Sequence, residues 1–154
     1  AVEHAGYTVL LDPYYPDKVP GLCLPTLSAQ KVLCSHQHAD HGAAEIIKIL
    51  PGPENPFTIR TVEVFHDHHS GEHRGANTVH ILEADGIRVA HLGDLGHLLT
   101  PYQGHGYDYP VIAPVENFLD LCENVHEYVN NTIEITPDTK AQTAVLALPS
   151  IVRK

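Results

Sequence analysis

The densest chemistry in the chain lies in Ser35-His36-Gln37-His38-Ala39-Asp40-His41-Gly42, where three imidazoles and one carboxylate fall within positions 36–41. Both side-chain types are standard ligands for zinc and related divalent ions. In extended backbone, residues two apart point to the same side, so His36 and His38 can share one ion. A turn after them lets Asp40 and His41 face a second point nearby. The four groups therefore suit two adjacent ions better than one. A lone histidine is most often a surface or satisfied core residue. Three with an aspartate, directly after an apolar run, are poorly explained that way.

The surrounding pattern says how such a cluster would be held. The run Val32-Leu33-Cys34 reads as a buried strand that delivers the histidines at its carboxyl end, the usual place for ligand groups in α/β proteins. Two other candidate ligands also sit where a strand hands over to a loop: His66 after a strand at 59–65, and Asp94 after a strand ending near 92. For the first, His68 or His69 is the competing ligand. Asp94 could instead serve as a turn residue satisfying local amides, although Gly93 and Gly96 beside it allow close backbone approach.

Elsewhere, 8–11 is a short β run ended by Asp12-Pro13, and 14–25 is a proline-rich loop. Residues 43–50 are expected to be helical, with Ile46, Ile47 and Leu50 on one face and Pro51-Gly52-Pro53 as the stop. Residues 66–73 form a polar loop. Asp85-Gly86 between the runs 78–84 and 87–92 predicts a hairpin. Val115, Phe118, Leu119 and Cys122 follow helical spacing. A hairpin around Asn130-Asn131 and a closing strand at 143–148 complete the pattern. Mixed strands and helices place the chain in the layered α/β class.

A chain of 154 residues, 43% of them hydrophobic, suits one globular domain spanning 1–154. No apolar run approaches the roughly 20 residues of a membrane span, and the start carries no secretory pattern. The chain contains no Met, so it is expected to be processed, trimmed or incomplete at its start. A formal net charge of −10 argues against a nucleic-acid surface, which needs clustered Lys and Arg. Cys23, Cys34 and Cys122 are an odd number without CxxC spacing; they read as free or buried thiols in a reducing, cytoplasmic setting. A homo-oligomer is compatible with all of this.

The segment His36-x-His38-x-Asp40-His41 resembles the signature of the metallo-β-lactamase-fold hydrolases. Phe65-His66-Asp67, Arg74-Gly75-x-Asn77-Thr78 and the run from His91 through Gly93-Asp94-Leu95-Gly96 to His97 are similar to a subgroup, the stand-alone hydrolases like ascorbate-6-phosphate lactonase. The resemblance implies an αββα sandwich with metals at one edge. It implies that His36, His38 and His66 hold one metal, that Asp40 and His41 hold a second, and that Asp94 bridges them. The second half reads as shortened against that pattern. Leu99-Thr100-Pro101-Tyr102-Gln103 leads almost directly to Gly104-His105-Gly106-Tyr107, either in a naturally short chain or across a missing segment near residues 103–105. His105 is the nearest candidate for a final ligand of the second metal, against a plain surface histidine.

The function expected is hydrolysis of a small-molecule ester, lactone or phosphoester by a hydroxide shared between two divalent ions, zinc first, with Mn, Fe or Ni compatible. Asp40 would orient the attacking water and accept its proton. No Ser-His-Asp or thiol arrangement competes. His97 either touches substrate or caps a loop. His73 and Arg74 either bind an anionic group or form a solvated loop; His4, His80, His91 and His126 read as structural or surface residues. The rival functions are a non-catalytic remnant with an incomplete second metal site and a metal-storage or sensing protein.

Overall fold

The computed structural model describes residues 1–19, 27–97, 135, 136 and 138, and the strand backbone of 124–128 and 143–147. The chain divides into two compact units, Ala1–Leu95 and Gly96–Lys154. All six of the expected metal ligands before residue 95 fall in the first unit, and His97 falls in the second.

The first unit is built from three small sheets. In the first, β1 (Val2–His4) pairs antiparallel with β2 (Tyr7–Leu11), and β2 pairs in parallel with β4 (Lys31–Leu33). In the second, β3 (Ser28–Ala29) runs parallel to β5 (Lys48–Ile49). The third is a meander of β6 (Thr58–Phe65), β7 (Ala76–Ala84) and β8 (Ile87–His91). In the second unit, β9 (Asn124–Tyr128) pairs in parallel with β10 (Thr143–Ala147).

The β7–β8 turn forms as its sequence requires. Asp85 (φ 50°) and Gly86 (φ 77°) both take positive φ, the two-residue type I′ geometry that Asp-Gly favours. The β1–β2 turn has the same geometry at Ala5 (φ 50°) and Gly6 (φ 75°), in a stretch where the sequence suggests no strand.

β7 carries the packing of the meander. Val79 and Leu82 are buried on it, and Asn77 and His80 are buried beside them, so both of its faces are covered. Burial of a side chain such as Leu82 contributes about 1.5–3 kcal/mol. A second apolar cluster joins the other two sheets through Leu10, Ala29 and Ile47, with Leu27 and Val32 packed against it. The sheets meet where the Thr78 amide donates to the Ser35 carbonyl at 2.8 Å and a His80 ring nitrogen contacts the Cys34 carbonyl at 3.0 Å. This junction fixes the end of β4, from which the histidine cluster leaves.

The helix expected over residues 43–50 is not formed. A single 3₁₀ turn, Ala44–Ile46, gives way to extended backbone at Ile47 and then to β5. The reasons are local. Ala43 supplies no side-chain cap, and the β-branched run of Ile46, Ile47 and Ile49 favours a strand. Of the three, only Ile47 is buried, against Leu10 and Ala29, while Ile46 and Ile49 are exposed. The Leu50 amide then donates to the Ala29 carbonyl, tying the segment to the sheet edge. β4 is also half-buried along its length rather than fully buried.

Among the described residues the fold is therefore sheet-rich, with that 3₁₀ turn as its one helical element. The helix expected around residues 115–122, hairpin residues 129–134 and His105 lie outside the described residues, as does the suspected join near 103–105. The strand expected at 143–148 is present as β10.

Candidate metal centre

Three segments bring ionisable groups together. The first is the loop after β4, where the His41 and Gly42 amides both donate to the His38 carbonyl and the Ala43 amide donates to the Pro13 carbonyl. These bonds close the turn that separates His36 and His38 from Asp40 and His41. The second is His66, one residue beyond β6. The third is Asp94, three residues beyond β8.

The side chains converge on the Asp94 carboxylate. His66 Nε2 lies 2.9 Å from Asp94 Oδ2, with His36 Nε2 3.9 Å from the same oxygen. His41 Nε2 lies 3.2 Å from the other oxygen, Oδ1. Asp40 Oδ1 lies 3.1 Å from His41 Nδ1. The ring of His36 packs against those of His38, His41 and His66, with centroids 4.5–4.7 Å apart. Two groups place their ligand atoms within 4.8 Å of one another: His36, His38 and His66, and His36, Asp40 and His41. The cluster is graded in exposure. His36 and His66 are buried, His41 is half-buried, and His38 and Asp40 are exposed.

The alternative ligands are placed elsewhere. His68 and His69 stack on each other, and His69 meets His73; none of the three belongs to either group. His4 pairs with Asp85 at the β7–β8 turn, and His80 bonds the Cys34 carbonyl, consistent with structural roles. His97 is buried.

Electrostatics suits a neutral-ligand site. Burial lowers the pKa of His36, and the neighbouring His41, His66 and His38 push the same way while Asp94 opposes them. His36 is therefore held as the neutral ring, the form that binds metal. The hydrogen bond from His41 keeps Asp40 ionised below its ordinary range. Burial raises the Cys34 thiol, and the charge of Asp12 adds to this, so Cys34 is a poor nucleophile.

Behind the cluster sits a support that the sequence did not suggest. Asp12, just past β2, accepts from the Ser35 amide at 2.6 Å, from Ser35 Oγ at 2.7 Å and from His91 Nε2 at 2.7 Å. Burial pushes the Asp12 carboxyl up, but the bonds from His91 and Ser35 outweigh it and hold the group below its ordinary value. Ser35 Oγ, having donated to this carboxylate, accepts from His36 Nδ1 at 2.9 Å. That assigns the His36 proton to Nδ1 and leaves Nε2 with a free lone pair. His36 Nε2 is buried and has no hydrogen-bond partner. A buried polar atom without a partner is costly, and here it faces the other imidazoles and Asp94. The donor set and this orphaned nitrogen fit a divalent ion.

Asp67 organises the loop that follows His66. Its carboxylate accepts from four backbone amides, those of His69, Gly71, His73 and Arg74, at 2.7–3.1 Å. Burial raises its pKa, but these bonds prevail and take it down to about 2 from an ordinary 3.8. A lowered pKa means that the ionised form stabilises the fold above the unfolded-state value, and that this stability fades as pH falls. Stability is expected to decline from about pH 4 toward pH 2, followed by circular dichroism during acid titration. Asp67→Asn should be less stable near neutral pH and show a flatter decline across that window. Parallel curves for the two chains would contradict this role.

A family model described as a beta-lactamase superfamily domain matches residues 1–139, so the chain belongs to that family. Among solved structures, it is similar to a Thermotoga maritima protein provisionally described as a Zn-dependent hydrolase of the metallo-β-lactamase superfamily. That match has 26% identity and a TM-score of 0.55, covering 93% of this chain and 91% of the other. No curated protein gives a significant match. The fold is thus that of the metallo-β-lactamases, and the family supports a hydrolase in general.

Proposed function

We propose that this protein is a metal-dependent hydrolase acting on a small-molecule ester, lactone or phosphoester. The observation that carries the reading is the convergence of His36, His41 and His66 on the two oxygens of Asp94. On this reading, His36, His38 and His66 hold one divalent ion. Asp40 and His41 would contribute to a second, and Asp94, whose two oxygens face His66 and His41 separately, would serve both. Divalent ions, zinc foremost, supply an acidified water at neutral pH and a Lewis acid for the oxygen that gains charge. The similar Thermotoga protein's description as Zn-dependent supports that choice of metal.

The protein's own groups divide the remaining work. Asp40 is exposed and kept ionised by His41, so it can orient the attacking water and take up its proton. His36 and His66 form the buried floor, and His38 stands at the open side. The lactonase-like sequence motifs favour cyclic esters and phosphorylated small molecules as substrates. The free Cys34 thiol fits a reducing, cytoplasmic setting, and no helix of the described residues is long and apolar enough to cross a membrane.

The test is metal content together with turnover. Purified protein loaded with Zn²⁺ or Mn²⁺ should bind two ions per chain and hydrolyse at least one member of a lactone and phosphoester panel. Chelation should abolish that activity, and re-addition of the ion should restore it. One ion or none, with no turnover across the panel, would make the chain a non-catalytic remnant of the fold.

A further inference from the structure

Asn77 takes no part in the chemistry described so far, yet its side chain is wholly buried. It stands one residue into β7, opposite Val64 of β6. Its carboxamide makes two bonds to the loop that carries Asp94. Nδ2 donates to the Leu92 carbonyl at 2.9 Å, and Oδ1 accepts from the Asp94 amide at 3.1 Å. The acceptor and the donor flank Gly93, so one planar group grips the backbone on both sides of a single residue. The next residue along β7, Thr78, donates its amide to the Ser35 carbonyl, beside His36. The start of β7 thus joins the two loops that bear His36 and Asp94.

We infer that Asn77 is a positioning residue for the metal centre: its carboxamide sets the Asp94 backbone so that the two carboxylate oxygens face His66 and His41 separately. Either bond alone would leave the Leu92–Asp94 segment free to rotate about the other. With both made, the Cα of Asp94 is fixed against β7, and only its side-chain torsions remain. A hydrophobic residue of similar size would fill the space but leave the Leu92 carbonyl and the Asp94 amide without their partners. Because both bonds reach backbone, the need is for a group that donates and accepts at once, which Asn supplies and Asp does not.

The inference rests on the metal-centre reading above, and the test separates the two. Co²⁺ is titrated into the purified full-length chain and followed by its visible absorption, which reports coordination without any substrate. In the unmodified chain, Co²⁺ should give the intense bands of a low-symmetry site. Asn77→Ala should bind Co²⁺ at least tenfold more weakly and with a shifted spectrum, the scale expected when the support of a ligand is lost. Asn77→Asp, which keeps an acceptor for the Asp94 amide but loses the donor to Leu92, should fall between the two; it also serves if Asn77→Ala does not fold. Val79→Ala, at a buried position on the same strand, should lose stability and keep the Co²⁺ spectrum. Unchanged affinity and spectrum in the Asn77 variants would overturn the positioning role alone, as would an equal spectral change in Val79→Ala. Failure of the unmodified chain to bind Co²⁺ would overturn the metal centre and this inference with it.

Discussion

Asp94→Ala is expected to cost more function than any other single change in the cluster. Its carboxylate lies 2.9 Å from His66 and also faces His41 at 3.2 Å. Losing it leaves four imidazoles with no negative charge among them except Asp40 at the edge. The loss of a supporting outer partner typically weakens metal binding by about 10–100-fold. On the proposed reading Asp94 serves both ions, so its loss should exceed that, and turnover is expected to fall by more than about 10²-fold. Metal per chain, measured by elemental analysis after gel filtration, should drop from two toward one or none.

The same substitution has a second readout that needs no substrate. An ion present at about a thousand times its Kd raises stability by about 4 kcal/mol. In a chain of this size that corresponds to a rise of about 10 °C in the melting temperature. The unmodified chain should show this shift when zinc is added, and Asp94→Ala should lose most of it. A variant that kept both ions and the thermal shift would remove Asp94 from the centre and return it to the turn role that Gly93 and Gly96 also permit.

What could be read from the residues divides along physical lines. The cluster at positions 36–41 was legible because its candidate ligands are close in sequence. His66 and Asp94 were legible because each follows an apolar run with strand spacing. The Asp85-Gly86 hairpin was legible because that dipeptide requires positive φ. Ala5-Gly6 makes the same turn, but Ala carries no such preference, so β1 went unseen. The helix expected at 43–50 failed because helical spacing and a short alternating strand coincide over so few residues. There the pairing of β5 with β3 decided the outcome, and that partner lies some twenty residues earlier in the chain.

The supports of the site were the least legible part. Asp12 reads as a strand-ending Asp-Pro, and nothing local shows that it will meet Ser35 and His91. His91 was expected to be a structural or surface residue; it contacts the carboxylate that also holds Ser35 behind His36. Asn77 stood out only as part of a motif. Such residues act through long-range contacts with separate strands, and a linear pattern records only near neighbours. Candidate ligands are legible because metal chemistry restricts their type, whereas many polar residues can fill a supporting place.

Gly93→Ala is expected to be the most damaging single methyl group that can be added to the first unit. Gly93 has φ +56°, a conformation that costs an L-residue about 1–2 kcal/mol. The added Cβ would also lie 2.4 Å from Ser35 Cβ and 2.5 Å from both Ser35 Oγ and Asn77 Oδ1. None of these is the loose end of a flexible chain. Ser35 is held by Asp12, and Asn77 is wholly buried and bonded on both sides of Gly93. Relief must come from backbone movement, and overpacking of that kind costs about 1–3 kcal/mol more. Together the two effects should lower stability by about 2–5 kcal/mol, measured by urea denaturation of the metal-free chain. Relaxation would push apart the residue behind His36 and the residue that holds Asp94, so the surviving fold should also bind Co²⁺ poorly. Gly86→Ala is the natural comparison, because φ there is +77° but nothing lies within 4 Å of the added atom. It should show the backbone cost alone and leave metal binding unchanged. Equal losses in the two variants would mean that the crowding at Ser35 and Asn77 is relieved without cost, and that the junction behind the metal centre is looser than its contacts indicate.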